Sequence, residues 1–173
     1  DRSPSRGLGD VYKRQSLYTL RRDVKNRAEA MNTVLDWPDR VLVISQGDDA
    51  TRWYYYRYEL TAQVVNGFGG FYGRLGETKD RWDSDFMNLV ESENWTLYDY
   101  KAVCVPDTLV AYMAEKDCDY ILIDRADDYL QREFSPLFEG GLTNDMPATL
   151  YHFEGADAAV PFTLAAVAES GVA

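Results

Sequence analysis

Leu17, Leu20, Val24, Ala28, Met31, Val34 and Leu35 recur at spacings close to three and four residues. Arg21, Arg22, Asp23, Lys25, Asn26, Arg27 and Glu29 lie between them. That period predicts an amphipathic helix of about five turns, ended by Trp37-Pro38 because proline disfavours helical backbone in the residue before it. The pattern then changes. RVLVIS at 40–45 is a continuous β-branched run followed by a polar loop, the mark of a strand buried on both faces. The aromatic run at 53–60 (WYYYRYEL) suits helix or strand, and its place between two strand-like runs favours helix. TAQVV at 61–65 is a second strand, stopped by Asn66-Gly67.

Downstream, residues 67–76 are rich in glycine and read as a long surface loop, and 84–90 as a helix capped by Asp83 or Ser84. Residues 95–105 are ambiguous between loop and short strand. Pro106 at a first helical position opens a helix over 106–116, with Leu109, Val110 and Met113 inward. DYILID at 119–124 is the clearest strand, a helix follows over 127–134, and TLYHF at 149–153 is the last firm strand. Residues 162–167 are a candidate edge strand. Strands alternating with helices predict a small three-layer α/β fold: a Rossmann-like, mostly parallel sheet of about four to five strands with right-handed crossovers. The organisation expected is a disordered leader over 1–15, a connector helix over 16–37, an α/β domain over 38–155, and a tail or edge strand over 156–173.

Composition narrows this. The chain has 173 residues, enough for one domain with a sizeable core. Its hydrophobic share of 46% excludes wholesale disorder. The net charge of −11 argues against nucleic acid or an anionic membrane surface as a partner, because both would be repelled. The basic cluster Arg21, Arg22, Lys25 and Arg27 departs from that background. It reads either as a solvated helix face or as a juxtamembrane segment near lipid headgroups. Cys104 and Cys118 form no metal pattern with the lone His152. They are either two buried thiols or a disulfide in an oxidising compartment. No run of about 18 apolar residues and no signal-peptide core occurs in the sequence.

Residues 1–15 (DRSPSRGLGDVYKRQ) are polar and lack periodicity. They closely resemble a stretch found at the start of many unrelated translated metagenomic sequences, where it is read-through of sequencing adapter. The resemblance implies a non-native leader and a natural chain that continues upstream of Ser16.

None of the candidate motifs carries a self-sufficient chemistry, so no catalytic, metal-binding or cofactor-binding residue is nominated and no cofactor is expected. Gln46, Asp48 and Asp49 follow the first strand, where a doubly wound fold places its ligand. That loop lacks GxGxxG, and its carboxylates would repel phosphate, so helix capping is the plainer reading. Phe68, Phe71 and Tyr72 stand in the glycine-rich loop as candidate contacts to a partner or glycan; without GK[ST] the loop is not a phosphate cradle. Asp83-Ser84-Asp85 is a formal DxD, a pattern that helix capping also produces. Asp124 and Asp127 flank the end of the clearest strand, where they suit a cation, a ligand or the next helix's cap. His152 has no catalytic company, and Asn94-Trp95-Thr96 is a glycosylation sequon only in a eukaryotic secretory setting.

Several of these pieces together resemble one family: the basic helix, RVLVISQGDD, the run with YYYRYEL, DYILIDRADDYLQREFSPLFEGG, and ATLYHFE. The chain over 20–154 is similar to the C-terminal water-soluble domain of bacterial polytopic membrane proteins of the glycosyltransferase type, related to the dolichyl-phosphate-mannose mannosyltransferases. The resemblance implies a non-catalytic domain on the extracytoplasmic side of the cell membrane, fused to its own upstream transmembrane region and assisting the docking of a glycan or lipid-linked sugar. It transfers no catalytic residue, because that family's acidic residues lie on loops between the first membrane helices. The long loop over 67–76 departs from the family pattern. Two alternatives stay open: a stand-alone cytoplasmic α/β domain that binds a ligand or acts on a sugar nucleotide, and a protein-interaction module built on the aromatic loop.

Overall fold

A computed structural model describes residues 4–45, 52–65, 68–69, 106–126, 128–155 and 163–171. Helix α1 spans Pro4–Met31. It buries Leu20, Val24, Ala28 and Met31, the stripe its period predicts. The helix starts at Pro4, so residues 4–15 are helical where their composition predicts a disordered tail. Proline is well suited to a first helical turn, and extending a helix already anchored by packing adds one hydrogen bond per residue fixed. At the other end α1 stops at Met31, and a turn carries the chain to the buried Leu35.

Strand β1 is Arg40–Ser45, and helix α2 is Arg52–Glu59. Two short strands follow, β2 at Gln63–Val64 and β3 at Phe68–Gly69. Helix α3 covers Pro106–Glu115, β4 covers Tyr120–Arg125, and α4 covers Asp128–Phe134. A 3-10 turn at Ser135–Leu137 leads on to β5 at Thr149–His152 and β6 at Ala165–Glu169. These elements form an α/β fold around a six-stranded sheet of order β2-β1-β4-β5-β6, with β3 also beside β1.

The sheet is mixed. Strands β2 and β3 run parallel to β1, and β1 runs parallel to β4. Strands β4 and β5 are antiparallel, as are β5 and β6. The expectation of a mostly parallel sheet therefore describes one half only. The reason lies in the connection after β4. Helix α4 has seven residues and extends about 10 Å. The six-residue β4 is about 20 Å long, so α4 alone does not return the chain to the strand's starting edge, and residues 135–148 keep it at the edge where β4 ends. Gly140 and Gly141, both at positive φ (77° and 71°), help turn the chain. Strand β5 then starts where β4 ends, with Thr149 opposite Ile123.

Val41, Leu42, Val43 and Ile44 are all fully buried, as are Ile121, Leu122 and Ile123. Unbroken burial of this kind means that both faces of the central strands are covered. Helices α1 and α2 pack together on one face. Helix α3 buries Leu109, Tyr112 and Met113 in the same core. Two polar ties fix the loops at the amino end of the sheet. Arg40 Nε donates to the Lys116 carbonyl at 2.9 Å and closes the end of α3. The Asn32 side chain donates to the Glu59 carbonyl and accepts from the Thr61 amide, each at 2.9 Å, and so joins α1's exit to the end of α2.

Cys118 is a buried free thiol between α3 and β4. Its expected alternative partner, Cys104, lies outside the described residues. Burial, above all, raises its pKa from 9.0 to about 12. Burial likewise pushes the Tyr151 phenol from 10.0 up to about 12, offset in part by a hydrogen bond to Thr149. Both groups hold their protons more tightly folded than unfolded. Their stabilising contribution is complete below pH 9 and is lost as pH rises toward 12. Urea titrations of the native protein therefore show stability falling through this window. Cys118→Ala flattens the fall relative to wild type; equal slopes for the two proteins would exclude the thiol as a contributor.

Candidate functional site

The parallel strands bring two strand ends to one edge of the sheet. Ser45, the last residue of β1, pairs with Arg125, the last of β4, so the chain leaves both strands side by side. Gln46, Asp48, Asp49 and Asp127 themselves lie outside the described residues, as do Phe71, Tyr72 and the Asp83-Ser84-Asp85 run. Phe68 contributes its backbone to β3 beside Ile44. The proposed loop over 67–76 is therefore part of the sheet at 68–69.

Asp124 is the candidate residue whose surroundings are defined. It is the extra residue in a register shift: Ile123 faces Ile44 and Arg125 faces Ser45, leaving Asp124 without an opposite number on β1. Its side chain is fully buried. The Tyr56 hydroxyl donates to Asp124 Oδ2 at 2.9 Å. Arg27 Nε stands 3.5 Å from Oδ1 on the other side. Arg27 is itself mostly buried, with 13% of its side chain exposed. The three groups come from α1, α2 and β4, so one carboxylate ties both helices to the sheet.

Arg27 and Tyr56 are the residues that sequence reasoning missed. Arg27 counts there as one of four cations on a helix face. Yet it is three residues after Val24 and four before Met31, on the stripe that packs inward. A cation at such a position needs a buried anion, and Asp124 at the end of a buried strand was the available one. No comparable signal picks Tyr56 from its aromatic neighbours, except that Leu60, one turn later, is also buried.

This arrangement does not resemble a general acid or a metal ligand in waiting. A catalytic carboxylate needs a path to substrate and a proton that can move. Here the carboxylate is enclosed, neutralised by a cation and hydrogen-bonded by a phenol, which is how a buried charge is held in place. Among the described residues no group of three or more His, Cys, Asp and Glu is arranged to hold a metal ion. His152 sits on β5 opposite Tyr120, ring centroids 5.4 Å apart, with Nδ1 3.9 Å from Glu154 Oε1. These are surface and cross-strand contacts.

Beside the buried trio lies a shallow cleft of about 140 Å³, lined by Asp23, Asn26, Arg27, Ser170 and Gly171. It lies between α1 and the end of β6, on the same sheet edge as Asp124, since Thr149 pairs with both Ile123 and Glu169.

Comparison with known proteins gives no match: no family profile, no curated protein and no solved structure aligns with the chain. Among the described residues no helix is long and apolar enough to cross a membrane.

Proposed function

We propose that the chain is a non-catalytic extracytoplasmic domain of a multi-spanning bacterial membrane protein of the glycosyltransferase type, with α1 as the connector between the membrane region and the sheet. The observation that supports this best is the Arg27–Asp124–Tyr56 tie. The acidic residue best placed for chemistry at the sheet edge is used to fasten α1 to the domain. A connector fastened in this way carries the orientation of a preceding span into the sheet and holds its carboxyl edge at a fixed place. Such a domain would serve to present a docking surface for a glycan or lipid-linked sugar. The β2-β1-β4 order, with α2 as a crossover helix, supports a Rossmann-like reading of the parallel half.

The natural reading frame upstream of Ser16 tests the proposal. It should encode several apolar helices, and their cytoplasmic flanks should carry more Lys and Arg than α1 does, because the cationic bias of short flanks sets orientation. A frame opening with Met near residue 16 and lacking such helices refutes the membrane parent. A frame with the helices but the opposite cationic bias moves the domain to the cytoplasmic side.

A second reading, a stand-alone ligand-binding domain, is favoured by the cleft beside Arg27. Calorimetry with sugar nucleotides, with and without Mn²⁺, separates the two. The membrane-domain reading expects no heat, and saturable binding would favour the alternative.

A further inference from the structure

Helix α1 has a second ridge, on the side turned away from the sheet. Tyr18, Arg22, Lys25 and Glu29 follow one another at spacings of four, three and four, opposite the buried Leu20, Val24, Ala28 and Met31. Arg21 joins this ridge from the α2 flank, its guanidinium 6.0 Å from the centre of the Tyr55 ring. Arg21, Arg22 and Lys25 are all exposed. Tyr18 is 70% exposed, and Tyr58 on the neighbouring α2 is 61% exposed. Arg27, the fourth cation of the sequence cluster, is turned inward to Asp124, so the outer surface of the helix pair is cationic and aromatic without it.

The charge is segregated along the chain. Downstream of the leader, residues 16–27 hold 4 Lys and Arg against 1 Asp, whereas residues 28–173 hold 10 Lys and Arg against 26 Asp and Glu. At physiological salt, fields are screened over about 8 Å, so a surface meets the charges nearest to it rather than the net charge of the chain. An anionic plane is thus attracted at α1 and repelled elsewhere, which selects a single orientation. Tyrosine rings with wet hydroxyls suit the headgroup layer of a bilayer.

We propose that the outer surface of the α1–α2 pair docks on anionic lipid headgroups, with Arg21, Arg22 and Lys25 facing phosphate and the Tyr18 and Tyr58 rings at the interface. The inference deepens the membrane-domain reading and rests on it only for why a bilayer is nearby. A protein or nucleic acid as the anionic occupant would give no vesicle binding.

The experiment is co-sedimentation of the full chain with vesicles of phosphatidylcholine, with and without phosphatidylglycerol, over a range of salt. Binding should require phosphatidylglycerol and weaken as salt rises. Each surface cation contributes about fivefold to such binding, so Arg21→Gln/Arg22→Gln/Lys25→Gln should weaken it about a hundredfold. These positions are exposed, and an unchanged circular dichroism spectrum checks that the variant is folded. Arg2→Gln/Arg6→Gln/Lys13→Gln/Arg14→Gln, which removes the cations of the leader, should retain most of the binding. Equal binding to both vesicle types, an unaffected triple variant, or a loss confined to the leader variant would each overturn the proposal. None of these outcomes depends on what the upstream reading frame encodes, so this inference and the membrane parent fail separately.

Discussion

Arg27→Met lowers the free energy of unfolding by about 3–5 kcal/mol, the largest effect expected of any single surface-accessible position in α1. The substitution keeps the apolar stem against the sheet and removes the charge. Asp124 is left fully buried beside Tyr56 with no cation. Asp124→Leu should be less damaging, because the 13% of Arg27 still exposed lets its guanidinium move toward water. The double variant Arg27→Met/Asp124→Leu should recover most of the loss, because removing both charges also removes the need to desolvate them. Urea unfolding of the four proteins gives the coupling directly. Additive losses would mean that the two residues do not sense each other.

The second large effect concerns the half of the sheet whose direction the sequence misreads. Tyr151→Ala should destabilise by about 3–5 kcal/mol, the usual loss for emptying a large aromatic site. The ring is fully enclosed on β5 and meets Phe138 edge-on, with centroids 4.7 Å apart. Tyr151→Phe keeps that packing and gives up only the hydroxyl, so it should lose about 1 kcal/mol or less. A small loss for both variants would mean that β5 is not part of the core, and that the antiparallel addition to β4 is wrong.

Much of the fold was legible because burial leaves a pattern. RVLVIS gives β1 with the bounds the structure has, since a strand covered on both faces must be apolar throughout. Pro106 marks the first residue of α3, where a missing amide is no loss. Strand direction was not legible. The helix over 127–134 is expected at nearly its true length, but where residues 135–148 then lead the chain depends on tertiary packing and leaves no local pattern. The edge strand β6 is Ala165–Glu169, three residues later than expected, because an exposed edge places few demands on its side chains. The site was legible at one end only. Asp124 at the end of β4 is visible in the sequence as a carboxylate at a sheet edge. Its meaning depends on Arg27 and Tyr56, 97 and 68 residues earlier in the chain, and only the folded chain brings them together.

Helix α1 and the sheet form one cooperative unit, joined through Asp124. Native-state hydrogen exchange tests it most directly. The amides of residues 24–31 should open only with the same free energy as those of β1 and β4, and Arg27→Met should lower protection in all three together. If α1 exchanges with far weaker protection than the strands in the unaltered protein, the helix is not fastened, and the account is contradicted.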